Sequence, residues 1–351
     1  MQKFSKEQVK TAVMREFGFV DLCYRDLPEL SENDVLVKVH ACNICTSEYG
    51  VFNGSRKNRP FPLVFGHEWA GEVIDVGNKV KELKAGDHVA CGYDFNPYST
   101  PSKEGRTNDC PDISGGNILN SDGYYGNAGC AEFVVKNQTA LYKISENVDY
   151  SLAGLLEPIG TVVSGLRNMN LNYGENVVII GGGTMGILNA LVARAHGFRV
   201  IISEMMPKKL ETAKAYNFET IDASKEDVVE SVKNMTDGEG ADAVIVAFGS
   251  TQTTTQAFEI LKKKRGKVLL FAAGYPSPEI TIDSNEIHYR KISIIGAYGA
   301  DYVDFKEAAR LISQKAFDLN PIVENKYDLS EVNDAFEEAI EPGKYRICVT
   351  M

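Results

Sequence analysis

The sequence contains no stretch of about eighteen consecutive apolar residues, which excludes the usual membrane-spanning helix. Its first residues, Met1 to Met14, carry no apolar run of the kind a secretory signal needs. Cationic residues are in deficit: 37 Lys and Arg stand against 48 Asp and Glu, a formal net charge of −11. A nucleic-acid partner wants a basic face, so no such partner is expected. An anionic cofactor is still allowed, because backbone amides and one or two local cations suffice to hold it. Cysteine is sparse and poorly placed for cross-linking. The seven, at positions 23, 42, 45, 91, 110, 130 and 348, are odd in number and scattered. That is a weak disulfide framework and suits a reducing cytosol, so a cytoplasmic protein with no membrane partner is expected. No internal repeat or low-complexity tract stands out.

What is present is globular. An apolar fraction of 44% and a charged fraction of 24%, over 351 residues, describe a chain too long for one ordinary core. The first half reads as short strands between turn signals: Val35–His40, Glu72–Val76, Asp87–Cys91 and Ala131–Val135. Several such runs at modest spacing suggest an antiparallel, barrel-like domain. Between Tyr93 and Gly129 apolar periodicity vanishes in favour of Asn, Asp, Ser, Gly and Pro, which predicts a long loop. From Glu175 the pattern changes. Val177–Ile180, Arg199–Ile202, Ala243–Ala247, Lys267–Phe271 and Ile292–Ile295 are buried-strand runs, with helical stretches at Met185–His196 and Lys208–Tyr216. Strands and helices alternating in this way imply a parallel, doubly wound sheet. After Gly296, helices at Phe305–Gln314 and Glu331–Ile340 lead to a last strand, Tyr345–Thr350.

Within the second pattern, Gly181-Gly-Gly183-Thr184-Met185-Gly186 has the spacing of a dinucleotide turn. It follows an apolar strand and opens a helix, which is the context that spacing requires. The glycines let the backbone approach a pyrophosphate, and the helix start offers free amides at the positive end of its dipole. Glu204, after the second strand, can accept hydrogen bonds from both ribose hydroxyls and repels a 2′-phosphate, which favours NAD. Lys208 and Lys209 lie just downstream and weaken that preference.

Metal-binding chemistry clusters in the first half. Gly66-His67-Glu68, with Gly71 and Gly77 following, pairs an imidazole with a carboxylate between glycines that permit sharp bends. Upstream, Cys45-Thr-Ser47-Glu48 ends a strand and offers a thiolate and a hydroxyl; downstream, Glu157-Pro158 places a carboxylate in an apolar setting. One Cys, one His and one or two Glu leave an open zinc position, as catalysis requires. A Cys42-x-x-Cys45 redox pair has no thioredoxin-like context, and no second close cysteine pair completes a four-cysteine knot. The other histidines, 40, 88, 196 and 288, have no such neighbours and read as packed or surface residues.

Taken together, Ile44-Cys45-Thr-Ser47-Glu48, Gly66-His67-Glu68-x-x-Gly71-x5-Gly77-x-x-Val80, Gly86-Asp87-His-Val89, Leu156-Glu157-Pro158 and Gly181-x-Gly183-x-x-Gly186 resemble the zinc-containing medium-chain dehydrogenases, in order and spacing and over nearly the whole chain. The Glu-Pro pair looks most like the polyol branch, which includes sorbitol, galactitol-phosphate and threonine dehydrogenases. The resemblance implies an α/β fold. Residues 1–157 and 297–351 form a GroES-like β-rich catalytic domain, with a Rossmann domain, 158–296, inserted. It implies one catalytic zinc held by Cys45, His67 and either Glu68 or Glu157. It places Gly274 and the backbone around Ala297-Tyr298-Gly299 near the nicotinamide, and Arg346 at the pyrophosphate. Three departures stand out. The four closely spaced cysteines of the family's structural-zinc lobe are missing, so no structural zinc is expected. Ser47 is followed by Glu48 where Asp is common; the longer side chain can still orient His67. The loop Gly54-Ser-Arg56-Lys57-Asn-Arg59 is unusually basic.

The expected activity is oxidation of a small secondary alcohol to a ketone. Zinc lowers the alcohol pKa, Ser47 accepts its proton, and NAD takes the hydride. A polyol is favoured, and the basic loop suggests a phosphorylated one. L-Threonine is the rival substrate, and a zinc-free quinone reductase or binding relative is a weaker alternative. A homodimer or homotetramer is expected, pairing through Ile292–Ile295 and Tyr298.

Overall fold

The computed structural model describes residues 8–110 and 119–351. The chain opens with a hairpin, β1 (Gln8–Glu16) and β2 (Phe19–Asp26), turned at Gly18, whose φ of 76° a side chain would strain. β3 (Asp34–Asn43) and a short helix α1 (Thr46–Phe52) follow. Then come β4 (Leu63–Val64), β5 (Glu68–Val76) and β6 (His88–Cys91). The one-turn helix α2 (Thr100–Lys103) precedes β7 (Tyr125–Gly126), β8 (Phe133–Asn137), β9 (Leu141–Lys143) and another one-turn helix, α3 (Tyr150–Ala153). Helix α4 (Leu156–Met169) closes this stretch; Pro158 is tolerated in its first turn, where backbone N–H groups have no helical acceptor.

An α/β series comes next: β10 (Asn176–Ile180), α5 (Thr184–Ala195), β11 (Arg199–Glu204), α6 (Pro207–Ala215), β12 (Glu219–Asp222), α7 (Val228–Met235), β13 (Ala243–Val246), α8 (Thr251–Glu259), β14 (Lys267–Leu270), α9 (Ser284–Arg290) and β15 (Ser293–Gly296). The chain ends with α10 (Tyr302–Ser313), β16 (Val323–Asp328), α11 (Val332–Ala339) and β17 (Arg346–Thr350).

Two compact units result, Met1–Gly160 with Ala300–Met351, and Thr161–Gly299. In the first, β3 is the hub. It pairs antiparallel with β5 along one edge, and its other edge is divided between β8 and β17. The sheet order is β16-β17-β3-β5-β6-β9, with the smaller sheet β2-β1-β4-β7 beside it in the topology. Because β17 arrives from the far C-terminus, the last strand lies against Ala41 to Asn43, the residues leading into Cys45. The core gathers Trp69, Phe65, Phe52 and Phe336, the last two stacked at 4.8 Å.

The second unit is a six-stranded parallel sheet of order β12-β11-β10-β13-β14-β15. Its central strands are apolar on both faces, as Val177 to Ile180 and Ala243 to Val246 show, because helices cover both sides. The order reverses between β10 and β13, the crevice position at which open sheets of this kind bind ligands.

The expected loop after Tyr93 is more structured than its composition suggested. Backbone N–H of Asn108 donates to Asp301 Oδ1 (2.9 Å), and Tyr302 N–H donates to Thr107 Oγ1 (2.7 Å), pinning the loop to the start of α10. Residues 111–118 of that loop lie outside the described residues. The lone histidines pack as expected: His40 and His88 both lie against Tyr150, at 4.4 and 4.7 Å between centroids.

Candidate active site

Cys45 is the N-cap of α1, where β3 gives way to helix. Three residues on, Glu48 closes back on it: Glu48 Oε2 accepts the Cys45 N–H (2.9 Å). The other carboxylate oxygen accepts the Gly66 N–H (2.8 Å) and bonds to His67 Nδ1 (3.0 Å). One buried side chain thus fixes the cysteine and the imidazole together. Gly66 has a φ of 101°, and a Cβ there would fall 2.5 Å from Cys130 N, so no other residue makes this approach. With Nδ1 on Glu48, the His67 ring has Nε2 left for a ligand.

Glu68 is fully buried and forms a two-point ion pair with Arg346. Nε donates to Oε2 (2.7 Å) and Nη2 to Oε1 (2.6 Å), and Nη2 also approaches Cys45 Sγ (3.6 Å). A guanidinium 3% exposed at the start of β17 is turned onto the buried carboxylate and sulfur, where the pairing offsets the desolvation of both charges. Glu157, in the first turn of α4, is also buried and accepts a hydrogen bond from Tyr93 OH.

Among the described residues, one group of potential metal donors lies within 4.8 Å of one another: Cys45, His67 and Glu68. Sulfur, imidazole nitrogen and carboxylate oxygen are the donor set zinc takes, with a corner left over. The local charge balance agrees. Burial lowers the proton affinity of His67, yet the negative charges of Glu48 and Cys45 raise it well above the usual value. Burial likewise pushes Glu48 up, but His67 and the two backbone N–H groups bring it below the ordinary carboxylate range. For Glu157 burial wins: desolvation raises it, and the opposing His67, Tyr93 and Arg346 do not undo that. Carboxylates and a sulfur concentrated at one buried place favour a cation. The residues fit a zinc ion.

Tyr93 escaped the reading of the sequence alone, and Arg346 was read there without its partner Glu68. Tyr93 had no signal, being one tyrosine at the head of a loop. Arg346 did have one, a lone charge before the otherwise apolar Ile347-Cys-Val349. Ser47, two residues past Cys45, sits half-buried on α1.

The second unit contains the glycine turn. Gly181 has a φ of 105°, and a Cβ on Gly186 would lie 1.9 Å from Gly181 O, so the tight turn demands both glycines. Gly183 caps α5, and its helix opens through Thr184 and Met185. Lys209 Nζ lies 3.5 Å from where a Cβ on Gly183 would be. At the end of β11, Glu204 accepts N–H bonds from Gly182 (2.6 Å), Met205 (2.7 Å) and Met206 (2.8 Å). Bare backbone at a helix start beside a carboxylate fits the diphosphate and ribose of a nicotinamide dinucleotide. Gly274 packs on Gly249, where a Cβ would meet the carbonyl oxygen at 2.2 Å, and Tyr298 is exposed.

Comparison with known proteins agrees with both halves. Residues 31–146 match a family model described as the alcohol dehydrogenase GroES-like domain, and residues 184–314 match one described as zinc-binding dehydrogenase. The chain belongs to the zinc-containing medium-chain dehydrogenases. It is 28% identical over 342 residues to a D-arabitol-phosphate dehydrogenase of Enterococcus avium, covering 95% of this chain and 94% of that protein. It is 29% identical to an L-threonine 3-dehydrogenase of Shewanella putrefaciens, covering 88% and 90%. Among solved structures, galactitol-1-phosphate dehydrogenase from Escherichia coli superposes with a TM-score of 0.84 at 21% identity, covering 97% of this chain and 100% of that one. An NADP-bound zinc-binding dehydrogenase from Sinorhizobium meliloti superposes at 0.87 with 24% identity, covering 99% and 100%. These two likenesses speak to fold. As a member of the family, the protein is a zinc-dependent oxidoreductase of alcohols that uses a nicotinamide dinucleotide. Among its described residues, no helix is long and apolar enough to cross a membrane.

Glu48→Gln keeps the shape but replaces the carboxylate that orients His67 and accepts the Gly66 N–H. Zinc affinity is expected to fall roughly 10- to 100-fold, the usual range for such orienting partners, as read by competition with a chelator.

Proposed function

We propose that this dehydrogenase oxidises a secondary hydroxyl of a small polyol to a ketone, with zinc held by Cys45, His67 and Glu68 and with NAD as acceptor. The meeting of those three side chains within 4.8 Å carries the reading. Zinc bound there would supply the Lewis acidity that brings an alcohol pKa towards neutrality. The chain's own residues do the rest. Glu48 holds His67 in one orientation. Arg346 anchors Glu68 and balances its charge. Tyr93 donates to Glu157, a buried neighbour outside the three-donor group whose proton affinity is raised by burial. Ser47 accepts the substrate hydroxyl proton and passes it outward. The residues of the glycine turn, Gly181 to Gly186, bind the dinucleotide, and Gly274 and Tyr298 follow strands at the same end of the sheet.

The assay is NADH formation from a panel of polyols, polyol phosphates and L-threonine, with and without a chelator. Turnover of polyols that is lost with the metal supports the proposal. Exclusive turnover of L-threonine, the substrate named for several relatives, would replace it with the amino-alcohol reading. Activity untouched by complete metal removal would overturn both.

NAD is favoured over NADP by Glu204, a carboxylate at the end of β11 that would repel a 2′-phosphate. Glu204→Gln is expected to lower kcat/KM for NAD roughly tenfold and to raise it for NADP, because a 2′-phosphate then meets no negative charge at this side chain. The ratio of the two cofactors' kcat/KM values measures this.

Assembly as a homodimer or homotetramer is also proposed. β15 is the outer strand of its sheet, with Ile294 40% exposed, and a second copy pairing along Ile292 to Ile295 would cover it. Mass measurement in solution tests it, and a monomer would exclude it. A cytoplasmic setting suits the seven unpaired cysteines.

A further inference from the structure

His67 lies at the bend that leads into β5, and Trp69 is the second residue of that strand. Behind them is a cavity of about 20 Å³, lined by His67, Trp69, Cys91, Tyr93, Asp94 and Lys136 among others. That is room for about one water-sized group. Two of the lining residues point unpaired polar atoms at buried positions. Trp69, fully buried, has no hydrogen-bond partner for Nε1, and Asp94 has none for Oδ1. Leaving either unmet forfeits the hydrogen bonds it would make in water, so native structures rarely do it without a reason.

The surroundings hold the indole where it is. A Cβ on Gly129 would fall 2.2 Å from Trp69 Cδ1 and 2.7 Å from Nε1, so only glycine admits the ring edge. Burial pushes the Asp94 carboxyl up, and the positive charge of Lys136 opposes that. The wall therefore offers one fixed N–H donor and one carboxyl acceptor, with a cation behind. An O–H group satisfies both at once, accepting from the indole and donating to the carboxylate. An apolar group satisfies neither, and an anion meets the carboxylate.

We propose that this hollow is a hydroxyl subsite, in which Trp69 Nε1 and Asp94 Oδ1 hold one neutral O–H group beside His67. Water and a substrate hydroxyl share that chemistry. The second source rests on the polyol reading, the subsite then choosing substrates with a hydroxyl beyond the reacting carbon.

The chain has a single tryptophan, so its indole N–H gives one resonance in a nitrogen–proton spectrum. In the protein without substrate, that resonance is expected to lie in the hydrogen-bonded range and to show a cross-peak to a bound water. It should move in Asp94→Asn and be absent in Trp69→Phe. Adding a tetritol or pentitol tells the sources apart. A shift with the polyol, but not with 2-butanol, assigns the site to the substrate, and Trp69→Phe and Asp94→Asn then lower kcat/KM roughly tenfold for the polyol only. An unchanged resonance with both alcohols, the water cross-peak persisting, assigns it to a resident water. An indole N–H in the unbonded range with no water contact, and insensitive to Asp94→Asn, overturns the subsite. The spectrum of the unliganded protein does not depend on turnover, so failure of the polyol reading is told apart from failure of the subsite.

Discussion

His67→Ala is expected to leave the purified protein with little or no zinc and to cut kcat by about a thousandfold or more. Stabilising a developing alkoxide is worth several kcal/mol, and each 1.4 kcal/mol is a factor of about ten. Of the three donors that approach one another, His67 is the one whose geometry is most fully specified. Its Nδ1 is committed to Glu48, and its backbone enters from Gly66 at a φ only glycine tolerates. Removing the ring takes away a donor and strands a Glu48 oxygen that now has only the Gly66 N–H. Metal content by atomic emission and steady-state NADH formation read the two effects separately. Cys45→Ser, a weaker ligand in nearly the same volume, should follow in the same direction. Full activity in a metal-free His67→Ala protein would end the zinc assignment for these residues.

Arg346→Met is expected to destabilise the first unit by about 3–5 kcal/mol, the cost of leaving one member of a buried ion pair alone. Glu68 has no exposure to water, and both its oxygens face the guanidinium, so no solvent rearrangement can rescue the charge. Adding Glu68→Gln to that variant should recover much of the loss, since the uncompensated charge is what costs most. Urea unfolding followed by tryptophan fluorescence is a suitable measure, because Trp69 reports on the same unit. A two-unit chain need not unfold in one step, so the fluorescence transition alone should be compared between variants. An Arg346→Met protein as stable as the parent would mean that Glu68 is protonated or solvated in the folded state. The substitution also removes the cation next to Cys45, so a change in zinc affinity should accompany it.

How much of this was legible beforehand depended on whether the signal was local. The strand over 177–180, the glycine turn and the acidic residue after the next strand are neighbours in sequence, and periodicity with turn chemistry was enough to read them. The hairpin at 8–26 was not anticipated. Its two-residue turn, Phe17-Gly18, lacks the Asn-Gly or Asp-Gly pair that usually marks such a hairpin. Helix α1 also escaped. Seven residues with a glycine inside are a poor helix by propensity, and what caps it, Glu48 reaching back to Cys45, also ties it to Gly66 and His67. The segment after Tyr93 was read from composition only as a long loop, because its anchors, Asp301 and Tyr302, lie almost two hundred residues away.

The same division runs through the site. By itself the sequence determined which chemistry was available: a thiol, an imidazole and carboxylates at positions 45, 67, 68 and 157, and a turn built to admit a diphosphate. These follow from residue type and short-range spacing, which folding does not alter. Only the tertiary structure decided their division of labour. β17 lies against the end of β3, so Arg346 meets Glu68 across 278 positions. Tyr93 meets Glu157, and Trp69 meets Asp94 at a hollow, for the same reason. Strand pairing brings together residues that the chain keeps far apart, and burial then makes the partner of each charge a matter of several kcal/mol.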